Sequence, residues 1–164
     1  MDKYDLSATT HLVSAAAPMG EDIEDQVKKR ISVEVKQAYG MTELSPCTHY
    51  TTDDATKSGS IGQIVPNTEL RIVSIGDEAD LPIGELGELW ARGPQVMLGY
   101  KDNEEATTST IMPDGFLRTG DIGYIDENGF TYIVDRVKEL IKYKGHQVSV
   151  IFAITIMNMV LSQI

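Results

Sequence analysis

Between residues 68 and 134 the chain is cut into short runs that leave no room for a long helix. Leu70 and Ile72, followed by Ser74, alternate with polar neighbours and predict a strand over 68–75. An acidic turn covers 77–80. A second strand is predicted over 86–92, where Leu89 and Trp90 lie and Trp90 is expected in the core. Gly84, Gly87, Gly93 and Gly99 punctuate the stretch. Over 123–135, Tyr124 and Ile125 lead into Asp126, Glu127, Asn128 and Gly129, then out through Phe130, Tyr132 and Val134. Asn-Gly favours a tight hairpin turn. One short helix is expected over 103–111, with Asp102 as its cap. Residues 67–134 therefore read as a small β-rich subdomain.

The preceding segment has a different rhythm. Over 21–31, Ile23, Val27 and Ile31 recur every four residues and predict a helix with that face buried. Its acids come early and its bases late, which complements the helix dipole. Val33, Val35 and Gln37 then alternate as a strand should. Residues 45–66, with Pro46, Gly59, Gly62 and Pro66, read as loop or irregular strand. Helix beside strands makes the expected class mixed α/β.

Composition narrows the function. The 25 acidic residues outnumber 14 basic ones, for a net charge of −11, which argues against a nucleic-acid partner. The one cysteine, Cys47, can form no internal disulfide and fits a reducing compartment. Cys47 and His49 do not make a metal site by themselves, and no CxxC or HExxH spacing occurs. The N-terminus does not resemble a secretory signal and the chain does not end in SKL, so an intracellular, cytoplasmic location is expected.

Against this acidic background, 135–148 gathers Arg136, Lys138, Lys142 and Lys144, then Gly145, His146 and Gln147. The run is either a solvated basic strand or a device that brings positive charge to an anion. Upstream, Asp121 follows Thr119 and Gly120. Its carboxylate could accept from both hydroxyls of a ribose, or could cap its own turn. Tyr39, Gly40, Met41, Thr42 and Glu43 close the predicted strand. Tyr39 could stack on adenine, Thr42 donate to a phosphate and Glu43 hold Mg²⁺, a hard ion that prefers oxygen. The alternative is a surface loop of chance composition. Leu12 and Val13 break into Ser14, Ala15, Ala16, Ala17 and Pro18, small residues that admit a flat ligand or simply make a tight turn.

LVSAAAPMG, QAYGMTEL, FLRTGD and DRVKELIKYKGHQV, in this order, resemble the adenylate-forming enzymes, nearest in wording to 4-coumarate–CoA ligases and acyl-CoA synthetases. The resemblance covers about residues 3–148. It implies the C-terminal portion of that family's large N-terminal domain, with its β-rich subdomain and the start of the small C-terminal domain. The implied divisions are 1–66, 67–134, 135–148 as the hinge and first C-terminal strands, and a divergent apolar tail at 149–164. That tail is short for a membrane span, and a replaced C-terminus is the expected explanation.

The implied chemistry is acyl adenylation from ATP, then transfer of the acyl group to CoA, with an aryl or fatty acid as the carboxylic-acid partner. Thr42, Glu43, Lys142 and Gln147 take catalytic positions. Ala15, Ala16, Ala17, Tyr39, Gly40, Met41, Thr42, Asp121, Arg136 and Lys144 take nucleotide-binding positions, and Glu43 holds Mg²⁺. Ala15 stands where the family usually has glycine. The family's Gly/Ser/Thr-rich phosphate loop with its lysine is not in this sequence. This chain alone is accordingly expected to be inactive, and a non-catalytic AMP-binding or protein-interaction role is the alternative.

Overall fold

The computed structural model describes residues 4–15, 19–139, 141–143 and 146–148, with Glu139 and the last two segments described by backbone alone. Ala16, Ala17, Lys144 and the apolar tail 149–164 lie outside the described residues. The class is mixed α/β, as the sequence predicts.

The chain opens with β1 (His11–Ser14), α1 (Glu21–Ile31) and β2 (Glu34–Gly40). β1 and β2 are parallel, with Ser14 opposite Gln37, so the helix is the crossover such a pair needs. β3 (Cys47–Tyr50) and β4 (Gln63–Ile64) add to β2 in antiparallel fashion. The result is a mixed four-stranded sheet in the order β1-β2-β3-β4. Residues 45–66 are thus loop with two short strands, the first paired through a register shift, in keeping with loop or irregular strand.

The boundaries of α1 agree with the sequence, but its buried face does not. Ile23 is 56% exposed, whereas Glu24 is 3% exposed. A buried carboxylate is tolerable only when its oxygens are satisfied. Glu24 Oε2 accepts from the Gly59 amide at 3.0 Å, and Oε1 pairs with Lys28 Nζ at 2.7 Å. The inward position is therefore set by polar partners that a hydrophobic period cannot reveal.

β5 (Glu69–Val73), β6 (Gly87–Arg92), β7 (Leu117–Ile125) and β8 (Thr131–Arg136) form an antiparallel meander, each strand beside the next. α2 (Glu104–Thr110) lies in the β6–β7 connection. Val73, Leu89 and Leu117 are fully buried, and Trp90 and Phe116 nearly so, which places Trp90 in the core as expected. Asn103, not Asp102, caps α2: its side-chain oxygen accepts from the Ala106 amide at 3.0 Å. Asp102 instead takes a left-handed turn, φ 55°. The β7–β8 hairpin turns over 126–130 and not over Asn-Gly alone. Asp126 Oδ1 accepts from the amides of Asn128 and Phe130, at 2.9 and 3.0 Å, and so widens the loop. Gly129 closes it at φ 79°.

The two sheets are joined by backbone and by core. The Ile61 amide donates to Thr131 O at 2.9 Å, and the Thr131 amide to Gly62 O at 3.0 Å. Leu44, just past β2, is fully buried against Ala91 and Leu117 of the second sheet. Beyond β8, β9 (Ile141–Tyr143) and β10 (His146–Val148) form an antiparallel pair. Among the described residues, no helix is long and apolar enough to cross a membrane.

Candidate functional site

Strand ends bring the candidate residues together. Tyr39 and Gly40 finish β2, and a single 3-10 turn, Thr42–Leu44, follows at once. Gly40 has no room for a side chain: a Cβ there would lie 1.6 Å from the Pro46 carbonyl oxygen. Leu44 anchors the turn in the core, which leaves Thr42 exposed and Glu43 half-buried beside it. Ala15 follows the end of the parallel neighbour β1 and is exposed. Gln37 ties that segment to β2, accepting from the Met19 amide at 3.0 Å and donating to Met19 O at 2.9 Å. The C-terminal ends of parallel strands are where open α/β sheets place their ligands.

The second sheet contributes from across the join. Tyr39 Oη donates to Asp121 Oδ2 at 2.6 Å, and Arg136 Nε donates to Asp121 Oδ1 at 2.9 Å. β7–β8 register sets Asp121 directly opposite Arg136. Asp121 therefore does not cap its own turn. It sits in a strand, 6% exposed, where one hydrogen bond reaches each oxygen. A carboxylate offers about four acceptor sites, so roughly half its capacity remains. Burial, with the Asp121 charge beside it, raises the Tyr39 pKa far above that of a free phenol. Tyr39 is thus a neutral donor. The backbone leading into Asp121 is held by Thr119, whose hydroxyl donates to Leu89 O at 2.8 Å and accepts from the Asp121 amide at 3.1 Å. Gly120, at φ 73°, lies within β7 where its pairing with β6 shifts register, and its amide donates to Glu88 Oε1 at 3.1 Å.

Glu43 has its own supports. Tyr100 Oη donates to Glu43 Oε1 at 2.8 Å, and the Met97 amide donates to Glu43 O at 2.8 Å. Among the described residues, no group of three or more His, Cys, Asp or Glu side chains could enclose a metal. A lone carboxylate still suits Mg²⁺, which keeps waters and takes its other ligands from phosphate oxygens.

Backbone register sets Gln147 opposite Lys142 in the β9–β10 pair. Met41 is half-buried against the Leu44 cluster.

Several contributors were not singled out from the sequence. Tyr100 reaches Glu43 across 57 positions. His49, read from sequence as a bystander, is fully buried with its ring edge-on to Tyr39, centroids 5.7 Å apart. Burial lowers its pKa to about 4. Glu88 is buried and also receives Trp90 Nε1 at 2.9 Å. Period-two alternation with Trp90 could have flagged this carboxylate as inward-facing.

Comparison with known proteins identifies the family and the fold. Residues 1–101 match the family model described as AMP-binding enzyme. A Dictyostelium discoideum protein named "Probable 4-coumarate–CoA ligase 3" is 51% identical over 150 residues, 90% of this chain and 27% of that protein. 4-coumarate–CoA ligase 1 of Petroselinum crispum is 44% identical over 155 residues, 91% of this chain and 28% of that one. The anthranilate CoA ligase AuaEII, solved with anthranoyl-AMP, superposes with a TM-score of 0.81 at 26% identity, covering 90% of this chain and 28% of that chain. ATP-bound MatB from Rhodopseudomonas palustris gives 0.79 at 32% identity, over 84% and 27%. The chain thus spans little more than a quarter of these relatives' length. With its family model and its relatives in agreement, this chain belongs to the AMP-binding, adenylate-forming enzyme family.

Proposed function

We propose that this chain supplies the adenosine-binding and metal-binding part of an ATP-dependent carboxylic acid–CoA ligase. The observation that carries this reading is the convergence of Tyr39, Asp121 and Arg136 at the end of β2, beside Glu43. The names of the relatives support CoA as acyl acceptor and an aryl acid as substrate, with a fatty acid as the other class.

In that reaction the acid's carboxylate oxygen attacks the α-phosphorus of ATP. The α–β phosphoanhydride bond breaks and pyrophosphate leaves. The CoA sulfur then attacks the acyl carbonyl, AMP departs and the thiol proton passes to solvent. Asp121 accepts from the ribose hydroxyls with its remaining lone pairs, and Arg136 stays on Oδ1 or moves aside as the ribose enters. The half-buried Tyr39 ring, fixed through its hydroxyl and by His49, offers a stacking surface to adenine. Ala15, Gly40 and Met41 shape the floor, Ala16 and Ala17 keep a nucleotide-binding role by family resemblance, and the exposed Thr42 hydroxyl donates to a phosphate. Mg²⁺ held at Glu43 would neutralise phosphate charge. Lys142, Lys144 and Gln147 serve from the segment beyond the hinge at 135–138, and the divisions 1–66, 67–134 and 135–148 follow the same scheme.

A second reading rests on the Tyr39, Asp121 and Arg136 cluster as a binding site alone. In that reading the chain binds AMP without turnover. Thermal melts of the purified chain with AMP and with Mg·ATP test the binding both readings share, because a ligand specific to the folded state raises the transition. Acid-dependent pyrophosphate release then separates them. No shift with either nucleotide contradicts both.

A further inference from the structure

The geometry points to Tyr100 as a positioning residue for the cation site: its hydroxyl orients the Glu43 carboxylate so that one oxygen is held and the other is presented to a divalent cation. This rests on the reading of Glu43 as a metal ligand.

The distances define the bracket. Tyr100 Oη donates to Glu43 Oε1 at 2.8 Å. No hydrogen bond to Glu43 Oε2 is found among the described residues. The glutamate backbone is fixed by the same segment, since the Met97 amide donates to Glu43 O at 2.8 Å. Tyr100 in turn is held by α2: its amide donates to Thr107 Oγ1 at 2.8 Å, and that hydroxyl donates to Asn103 O at 2.9 Å. Gly99, at φ 147°, lets the chain pass against Thr107, where a Cβ would sit 2.7 Å from the threonine methyl. The connection between β6 and β7 therefore grips the turn after β2 at a main-chain and a side-chain point.

A free glutamate side chain spreads over several rotamers, and a single-carboxylate site has no second protein ligand to correct it. Holding Oε1 removes that freedom before the cation arrives. Outer-shell partners of this kind typically change metal affinity by about 10- to 100-fold when removed.

The test uses the chain with Mn²⁺ and ATP, reading bound Mn²⁺ by electron paramagnetic resonance, beside AMP affinity measured in EDTA. Tyr100→Phe is expected to weaken Mn²⁺ in the presence of ATP by about 10-fold, and to leave cation-free AMP affinity unchanged. Thr107→Val, which removes the brace on Tyr100, is expected to weaken Mn²⁺ by a smaller factor. Glu43→Gln is the control for the underlying reading. If Glu43→Gln weakens Mn²⁺ and Tyr100→Phe does not, the inference fails and the metal reading stands. If Mn²⁺ binding is absent, or indifferent to Glu43→Gln, both fail. An equal loss of AMP and Mn²⁺ affinity in Tyr100→Phe makes the residue merely structural and also overturns the inference.

Discussion

In and beside the first sheet the fully or nearly buried residues include Lys36, Gln37, Thr48, His49 and Thr51; in the second they include Val73, Leu89, Trp90, Ala91 and Leu117. The second sheet thus resembles an ordinary apolar core with an arginine-covered rim. Arg71 and Arg92 lie over the Phe116 ring at 4.9 and 4.4 Å, and Arg118 over Trp90 at 5.1 Å. The first sheet instead mixes these polar side chains with buried Val33 and Val35, and meets the second sheet's core through Leu44. The lesson is one of proportion: the second sheet carries more of the apolar core, while both sheets supply polar groups to the site. The candidate site lies where they meet, with Tyr39 from one and Asp121 from the other.

The largest effect should come from the second sheet. Leu117→Ala removes a fully buried side chain that packs on both Ala91 and Leu44. It is expected to cost about 3–4 kcal/mol in urea unfolding, and to lower nucleotide affinity through the displaced Thr42–Leu44 turn. Loss of stability with AMP affinity untouched would show that the turn does not depend on the second sheet.

The first sheet should respond to pH instead. His49 is held neutral in the fold, with its pKa lowered from 6.5 to about 4. Once unfolded it takes up a proton below about pH 6.5. The proton-linked cost of its burial is therefore absent above that pH, and stability is lost as pH falls from 6.5 towards 4. The loss attributable to this one group approaches about 3 kcal/mol near pH 4. Urea unfolding of the chain and of His49→Gln across pH 7 to 4 should show a shallower decline in the variant. Parallel declines would remove His49 from the account.

The smallest effect is local. Asn103→Ala deletes the α2 cap and should cost about 1 kcal/mol, whereas Asp102→Ala should leave the cap intact. A larger loss from Asp102 would restore the sequence-based assignment.

These residues also show what the sequence could and could not convey. Strand alternation and glycine punctuation announced strands in the second sheet, although β6 is buried on both faces and burial there does not follow period two. The Glu21–Ile31 helix was legible in its ends but not its face, since Glu24 is drawn inward by Gly59 and Lys28, partners remote in sequence or invisible to hydrophobicity. At the site, Tyr39, Asp121, Arg136 and Glu43 were legible only through family wording. What joins them — a phenol across 82 positions in one case and 57 in the other — is tertiary and has no local signature.

The central claim is that Asp121 receives the ribose diol, and calorimetric titration of the chain with AMP and with 2′,3′-dideoxy-AMP tests it most directly. Hydrogen bonds to a charged acceptor contribute about 1.5–3 kcal/mol each. AMP should bind at least about 10-fold more tightly than the dideoxy nucleotide, and Asp121→Asn should shrink that preference while leaving dideoxy binding little changed. Equal affinities for the two nucleotides, or a preference that survives in Asp121→Asn, would contradict the account.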